Sequence, residues 1–111
     1  MAITYLRGRP FPMSITPVHV VARFRAREGS EEETARTLAE FVAPSLSHTG
    51  CLYYELQQNN ADPRDFVILD GWESSEALAA HAGSEHVAAT SKKLDALLAG
   101  PAEIVVYHRL S

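Results

Sequence analysis

The stretch CLYYELQQNNADPRDFVILDGW, residues 51–72, has the pattern of a β-hairpin, and it decides the fold of the chain. Residues 51–57 and 66–72 are two runs rich in apolar and aromatic side chains, and neighbouring positions along a strand face opposite sides. The segment Asn-Asn-Ala-Asp-Pro at 59–63 has the composition of a turn. The face predicted to point inward carries Leu52, Tyr54, Leu56, Phe66, Ile68 and Trp72. We therefore expect two paired antiparallel strands in the middle of the chain.

A helical segment is predicted before the hairpin. Ser30 and Glu33 match a capping box, in which both side chains satisfy backbone N–H groups at the start of a helix. Pro44 lacks an amide hydrogen, so the helix is expected to kink or restart about one turn before its end near Gly50. The buried stripe expected from the helical spacing is Ala35, Leu38, Ala39, Val42 and Leu46.

A second helical segment is predicted after the hairpin, in two pieces. Ser74 and Ser75 are rival N-caps for a short helix that runs through His81. The dipeptide Gly-Ser at 83–84 separates this helix from a longer one, which the Gly-Pro pair at 100–101 ends. The inner face expected for the longer helix is Val87, Ser91, Leu94 and Leu98.

The outermost apolar runs add one strand at each end of the pattern. Residues 18–25 alternate between an apolar face and a more polar one, and residues 104–107 are apolar on both faces. The order strand, helix, strand, strand, helix, strand is typical of the split βαβ or ferredoxin-like α+β fold, with an antiparallel sheet and both helices on one face. Residues 1–17, interrupted by glycine and proline, are expected to form an N-terminal arm, and residues 18–111 a single domain.

Helices on one face of the sheet leave its other face uncovered. A sheet with one face in water should alternate apolar and polar residues, whereas residues 66–72 and 104–107 carry apolar side chains on both faces. The simplest cover is a second copy of the same sheet. We therefore predict a two-fold homodimer in which the two sheets pack face to face.

The composition limits the functions that this chain can have. Its 111 residues are 46% apolar and 22% charged, which is typical of one globular domain and excludes disordered and disulfide-scaffold classes. The formal charge of −4 gives no basic surplus for a phosphate backbone, so nucleic acid is not an expected partner. Cys51 stands alone, and no apolar stretch approaches a membrane span or the core of a secretory signal. We expect a cytoplasmic protein with no membrane partner.

Four short motifs follow one another along the predicted domain. They are Gly-Cys-Leu-Tyr-Tyr-Glu at 50–55, Gly-Trp-Glu-Ser at 71–74, Ala-Leu-Ala-Ala-His at 77–81 and Ser-Glu-His at 84–86. In their order and spacing, the chain resembles the antibiotic biosynthesis monooxygenase family from Val18 to Leu110. The resemblance implies a dimeric α/β barrel with a pocket in each subunit between the sheet and the helices. Some members are cofactor-free oxygenases of quinols or related phenols, while others degrade haem, isomerise small sugar-like metabolites or have no known activity.

His81 and Asp70 are the predicted catalytic residues. The short helix after Trp72 should lie at the mouth of the pocket, and an imidazole titrates near neutral pH, so His81 could take the proton of a phenol. The structural alternative is that His81 packs against the sheet. Asp70 lies on an otherwise apolar strand face, where it could orient His81 or polarise a substrate hydroxyl. The alternative for Asp70 is an ion pair with Arg23 or Arg109.

Four further residues are expected to contact the substrate. An aromatic residue at the position of Trp72 lines the pocket in the family, and His19 stands where some members carry a polar pocket residue. Tyr54 is expected to face inward with its apolar neighbours. His86 lies five residues after His81, so only a break in the helix would bring the two rings together. No metal site is predicted, because no HExxH or CxxC pattern and no third ligand accompany the two histidines.

The sequence thus predicts a cofactor-independent monooxygenase that oxidises a quinol or polycyclic phenol with O₂. No GxGxxG or Walker motif indicates a nucleotide or flavin site, so no bound cofactor is expected. The expected partners are a small aromatic substrate, O₂ and a second copy of the chain. The main alternative is a non-catalytic small-ligand-binding or stress-associated dimer, followed by a cofactor-free isomerase and a haem-degrading enzyme. His48, His108 and Cys51 are interpreted as structural.

Overall fold

Between residues 16 and 111, the range that the computed structural model describes, the chain forms four strands and four helices. In chain order they are β1 (Val18–Arg25), α1 (Glu31–Ala39), α2 (Val42–Leu46), β2 (Cys51–Gln58), β3 (Asp65–Trp72), α3 (Ser75–Ala82), α4 (Glu85–Leu94) and β4 (Glu103–Tyr107). Most of the predicted N-terminal arm lies outside the described residues. The predicted order of elements is present, with each helical segment divided into two helices. None of the described helices is long and apolar enough to cross a membrane.

The four strands form one antiparallel sheet in the order β2-β3-β1-β4. β1 lies between β3 and β4, and its Val21 pairs with Leu69 on one side and with Val105 on the other. The hairpin predicted at residues 51–72 is the β2–β3 pair. This topology is the ferredoxin-like α+β fold that the sequence predicts.

The helices cover one face of the sheet, called the inner face, and the core lies between them. Burying an apolar side chain of this size contributes about 1.5–3 kcal/mol, so these contacts hold the helices on the sheet. The large side chains that are almost fully buried are Val20, Phe24, Leu38, Phe41, Tyr54, Phe66, Ile68, Trp72 and Leu94. The inward face predicted for β3 is therefore confirmed, and the apolar face of β1 is buried with it.

A β-bulge near the start of β2 changes one predicted inward residue. Cys51 pairs with Trp72 but Tyr53 already pairs with Gly71, so one extra residue is inserted between the two pairs. Leu52 is that residue, and it is 53% exposed instead of buried. The prediction that Leu52 faces the core is wrong because the strict alternation of a strand is interrupted at the bulge.

The capping box predicted at the start of α1 is also wrong. Ser30 occupies the N-cap position, but its hydroxyl makes no hydrogen bond to the first turn. Its backbone has φ −106° and ψ 15° rather than the extended conformation that lets an N-cap side chain reach the helix. The acidic residues 31–33 still lie in the first turn, where the helix dipole favours negative charge.

The buried stripe of α1 and α2 lies one position away from the predicted one. Leu46 is 52% exposed, and the residues that are buried are Thr34, Thr37, Leu38, Phe41 and Ser45. Both stripes have helical spacing and share Leu38. The stripe that is buried contains the hydroxyl side chains of Thr34, Thr37 and Ser45. The helix ends at Ala39 and restarts at Val42, so the break comes just before Pro44.

The two helices after the hairpin separate where the sequence predicts. Ser74 is the N-cap of α3, and its hydroxyl accepts a hydrogen bond from the backbone N–H of Ala77 at 3.1 Å. Residues 83–84 lie between α3 and α4. The longer helix ends at Leu94, earlier than expected, and Leu98 lies in the following loop. This break turns the chain, so the start of α4 lies beside the end of α3.

The second face of the sheet, called the outer face, carries apolar side chains that no helix among residues 16–111 covers. Val21, Leu69 and Val105 are cross-strand neighbours in the middle of this face. Val105 is 47% exposed and Tyr107 is 51% exposed. The outer face therefore presents apolar surface to its surroundings in the single chain.

Candidate active site

A cavity of about 590 Å³ lies between the inner face of the sheet and the helices. Val20, Phe24 and Ile68 line its sheet side, and Leu78 and Leu94 line its helix side. Among the polar side chains of its wall are Tyr54, Asp70 and His81. A largely apolar cavity of this size with a few convergent polar groups is typical of a site for a small organic molecule.

His81 lies in the last turn of α3 and is buried in the wall of the cavity. Its ring packs on Trp72 with centroids 4.5 Å apart, and the ring of Tyr54 meets it edge-on at 5.6 Å. Burial, together with the smaller effect of the neighbouring His48 and His86 rings, lowers the pKa of His81 to about 4, below the near-neutral range expected from the sequence. The imidazole is therefore neutral at pH 7.

His48, which the sequence analysis interprets as structural, contacts His81 at the candidate site. It lies in the loop between α2 and β2, and its Nδ1 is 3.1 Å from the Nδ1 of His81, so one ring donates a hydrogen bond to the other. The loop ends at Gly50, whose φ of 84° is readily adopted only by glycine. A side chain at position 50 would collide with Ala77 of α3, which shows how closely this loop approaches the helix.

His86 is the third ring of this group, which we call the histidine cluster (His48, His81 and His86). Its ring centroid is 4.8 Å from that of His48 and 6.0 Å from that of His81. Hydroxyl groups lie beside both of its nitrogens, with Ser45 Oγ at 3.3 Å from Nε2 and Ser84 Oγ at 3.4 Å from Nδ1. Burial lowers the pKa of His86 as well. The break between α3 and α4 brings His81 and His86 together, which an unbroken helix would not do.

Asp70 is buried on the inner face and bonds to the indole of Trp72. The Trp72 Nε1–H donates to Asp70 Oδ2 at 2.7 Å. Burial raises the pKa of Asp70 to about 6, and the hydrogen bond from Trp72 opposes part of this rise. The carboxyl therefore stands at the cavity wall with one oxygen fixed by the indole.

Two of the predicted contacts of Asp70 are absent from the structure of residues 16–111: the ion pair with Arg23 or Arg109, and the contact that would orient His81. Arg23 binds Asp65 on the outer face at 3.1 Å, and the Nε of Arg109 donates to the backbone oxygen of Ser111. Within the described residues, the side-chain hydrogen-bond partner of His81 is His48 and not Asp70. Asp70 orients Trp72 rather than the imidazole.

His19 lies on the outer face, away from the cavity. Its Nδ1 is 2.7 Å from the hydroxyl of Tyr53, and the two rings stack. The Tyr53 ring lies directly over Gly71, where a Cβ atom would collide with it. The assignment of His19 to the substrate site is therefore wrong, because the alternation of β1 turns it opposite to Val20.

Tyr54 lies on the inner face, as its alternation predicts, and its ring lines the cavity. Burial raises the pKa of Tyr54 to about 12, although a hydrogen bond with Ser45 opposes this rise. The phenol is therefore neutral at pH 7. Of the six residues predicted for the site, five lie around the cavity or the histidine cluster and one, His19, does not.

A family model for antibiotic biosynthesis monooxygenases matches residues 17–93 of the chain. The chain belongs to the antibiotic biosynthesis monooxygenase family. The resemblance drawn from the motifs between residues 50 and 86 is therefore confirmed. The match contains His48, His81 and His86 together with Asp70 and Trp72.

Individual relatives agree with this membership in the antibiotic biosynthesis monooxygenase family. The chain is 30% identical over 91 residues to "Putative monooxygenase Rv0793" of Mycobacterium tuberculosis, a match that covers 82% of the chain and 89% of that protein. It is 28% identical over 91 residues to "Uncharacterized protein sll1783" of Synechocystis, of whose length it spans only 62%. The crystal structure of PA3566 from Pseudomonas aeruginosa superposes with a TM-score of 0.81 at 34% identity, covering 86% of this chain and 96% of that one.

The raised pKa of Asp70 predicts that this family member loses stability as pH rises through the weakly acidic range. The folded state keeps the proton up to about pH 6, whereas the unfolded state releases it near 3.8. The folded state therefore binds more protons than the unfolded state between these values. The free energy of unfolding consequently falls as pH rises. In Asp70→Asn this contribution is absent, so urea unfolding should show the variant gaining about 2–3 kcal/mol relative to wild type between pH 4 and pH 7.

Asp62→Asn is the matched control for this measurement. Asp62 is an exposed carboxyl whose pKa is lowered by its hydrogen bond to Arg25, so its contribution has the opposite sign and is lost as pH falls. This loss occurs below the unfolded-state value of 3.8, so the stability difference between the Asp62 variant and wild type should stay nearly constant from pH 4 to pH 7. A constant difference between wild type and Asp70→Asn across this range would contradict a protonated Asp70 in the folded state.

Proposed function

We propose that this protein is a monooxygenase that oxidises a quinol or polycyclic phenol with O₂ in the cavity between sheet and helices. The observation that carries the proposal is the apolar cavity of about 590 Å³ with the imidazole of His81 in its wall. Membership in the antibiotic biosynthesis monooxygenase family and the monooxygenase name of the Mycobacterium tuberculosis relative support the same reaction class. Aromatic substrates suit such a cavity because most of its lining is apolar.

His81 acts as the base in this proposal. It lies where a phenol in the cavity would meet it, and a positioned base that takes the phenolic proton increases the electron density of the ring. His48 fixes one side of the imidazole by a hydrogen bond, and Trp72 fixes its plane by stacking. The ring is thereby held in one orientation toward its substrate.

Asp70 and Tyr54 bind the substrate in this proposal, and Trp72 and His86 support the site. The indole of Trp72 holds one carboxyl oxygen of Asp70. The other carboxyl oxygen can hydrogen-bond a substrate hydroxyl. Tyr54 contributes an aromatic wall and a neutral phenol. His86 lies outside the cavity lining and acts through its neighbours in the histidine cluster.

The reaction balances with O₂ as the only oxidant. The deprotonated ring transfers an electron to O₂, and the resulting superoxide joins the ring carbon to give a peroxide. For a substrate with a CH₂ group between two rings, loss of water from this peroxide leaves a carbonyl group. One oxygen atom enters the product and the other leaves as water, so the substrate supplies all four electrons. The protein binds the aromatic ring, removes the proton and excludes bulk water.

We also propose that two copies of the chain pair through their outer faces. Val21, Leu69 and Val105 lie together at the centre of that face, and Tyr107 extends the apolar surface on β4. A second sheet packed on the first would remove this surface from water, and a two-fold axis makes the surface self-complementary. The cavity lies on the opposite side of each sheet, so pairing leaves both cavities accessible to substrate.

Oxygen uptake by the purified protein tests the proposed reaction. EDTA-treated protein is incubated with an anthrone-type phenol or a polycyclic hydroquinone in an oxygen electrode, and product is identified by mass spectrometry. For an anthrone in ¹⁸O₂, we expect one labelled oxygen in the product and one O₂ consumed per molecule. A ligand that binds in the cavity and is never oxidised would instead support the non-catalytic binding protein.

A further inference from the structure

We propose that the histidine cluster binds one divalent transition-metal ion, with His48, His81 and His86 as its three protein ligands. Nothing in the sequence pattern indicates this site, since no two of the three residues have a spacing typical of metal-binding motifs. The three side chains meet only because the α2–β2 loop approaches the corner between α3 and α4. One candidate ligand atom from each residue lies within 4.8 Å of the others.

The spacing of the three rings is close to that of a three-histidine metal site. At metal–nitrogen bonds of about 2.0–2.1 Å in tetrahedral geometry, ligand nitrogens lie about 3.3 Å apart. The Nδ1 atoms of His48 and His81 are 3.1 Å apart. Ring centroids in such a site are separated by about 5 Å, and the observed separations are 4.8, 5.2 and 6.0 Å. A modest rotation of His86 toward the other two rings completes the set.

The chemistry of the cluster selects the class of ion. Imidazole nitrogens favour Zn²⁺, Cu²⁺, Ni²⁺ and Co²⁺ over the oxygen-seeking Mg²⁺ and Ca²⁺, and no carboxylate takes part in the cluster. Three neutral histidines also leave one position of a tetrahedral ion for water. Ser45 and Ser84 offer hydroxyl partners to the two nitrogens of His86, so whichever nitrogen binds the ion leaves the other with a hydrogen-bond partner.

The proposed ion lies behind the wall of the cavity and not inside it. His81 belongs to the cavity lining, whereas His48 and His86 do not. An ion held on the His48 side of His81 would tie the α2–β2 loop to α3 and α4, and it would fix the imidazole that faces the substrate. The inference therefore goes beyond the proposed oxygenation and shares only His81 with it.

The two roles of His81 can be separated experimentally. An imidazole that binds an ion through one nitrogen carries a proton on the other, so metal-bound His81 has no lone pair left to act as a base. Oxygen uptake is therefore measured after EDTA treatment, and metal binding is measured without any phenol. Failure of one proposal then leaves the other standing.

Calorimetric titration of tag-free, EDTA-stripped protein with Zn²⁺ tests the site. We expect one ion per chain, and Co²⁺ should give the visible absorption bands of a tetrahedral site. Removal of an outer-shell partner usually weakens metal binding by roughly 10–100-fold. His48→Gln and His86→Gln each remove a proposed ligand, so each should weaken Zn²⁺ binding by more than this. His108→Gln is the matched control, because His108 is exposed near the end of the chain, and its affinity should equal that of wild type.

A measurement on the wild type alone keeps the test independent of variant folding. In ¹⁵N NMR spectra of the histidine rings, one equivalent of Zn²⁺ should shift the resonances of His48, His81 and His86 and leave those of His19 and His108 in place. Absence of stoichiometric binding would overturn the proposal. So would unchanged affinity in His48→Gln and His86→Gln, or an equal loss in His108→Gln.

Discussion

Oxygen uptake by the metal-free His81→Ala variant is expected to be roughly 10²-fold or more slower than that of wild type, the usual contribution of a positioned base. The ring of His81 is held by His48 on one side and by Trp72 beneath it, and it is the only histidine among the described residues that line the cavity. Without it, water is the remaining proton acceptor for the phenol. The rate is measured with saturating phenol, so that a change in substrate affinity does not hide the loss.

Three further variants separate a base from a packing residue. His81→Gln retains a polar side chain of similar length that is not basic, so its rate should be as low as that of the alanine variant. His108→Ala removes an exposed histidine and should leave the rate unchanged. His86→Gln should slow the metal-free reaction far less than His81→Ala, since His86 lies outside the cavity lining and acts only through its neighbours in the histidine cluster. A wild-type rate in folded His81→Ala would remove His81 from the mechanism and favour a binding protein without catalysis.

Val21→Asp is expected to convert the proposed dimer into a folded monomer. Val21 lies between Leu69 and Val105 on the outer face, and two copies of the new carboxylate would be buried against apolar surface in the dimer. Leaving a charge unpaired in such an interface costs several kcal/mol for each copy. We therefore expect the dissociation constant to rise by roughly 10³-fold or more. Sedimentation equilibrium at micromolar concentration measures this change.

Ala89→Asp provides the control for added charge. Ala89 is exposed on α4, on the opposite side of the sheet from the proposed interface, so this variant should sediment like wild type. Val21→Asp should keep its fold, because the new side chain reaches water in the single chain. Circular dichroism checks this. A wild-type chain that is monomeric at these concentrations would refute the face-to-face dimer, as would a Val21→Asp variant that still pairs normally.

The arrangement of elements could be predicted from the sequence because it depends on periodicity. Residues 51–57 and 66–72 have the two-residue period of β-strands, and the segments on either side have helical spacing. These patterns are enough to predict the order of elements and the ferredoxin-like fold. The same alternation places Tyr54, Asp70 and Trp72 on one face, and the structure has them there. His81 also lies at the cavity, because a short helix that follows β3 directly must return over that face.

Local irregularities limited these predictions. The bulge at Leu52 inserts one residue into β2, and no composition signal marks it. The buried stripe of α1 and α2 runs through Thr34, Thr37 and Ser45, which a search for apolar periodicity does not select. Ser30 stands at the predicted helix start but has a backbone conformation that prevents capping. Each of these depends on backbone geometry or local packing rather than on residue type.

The sequence by itself determined the fold, the family and the face on which the cavity lies, while the tertiary structure alone decided which side chains meet. Periodicity fixes the side of an element on which a residue lies, since that depends on the geometry of one strand or helix. The contact between His48 and His81 joins segments 33 residues apart. The Trp72–Asp70 hydrogen bond depends on the indole turning back along its own strand. Such contacts depend on ångström-scale distances between packed elements and on rotamers, which the spacing of residues along the chain does not encode.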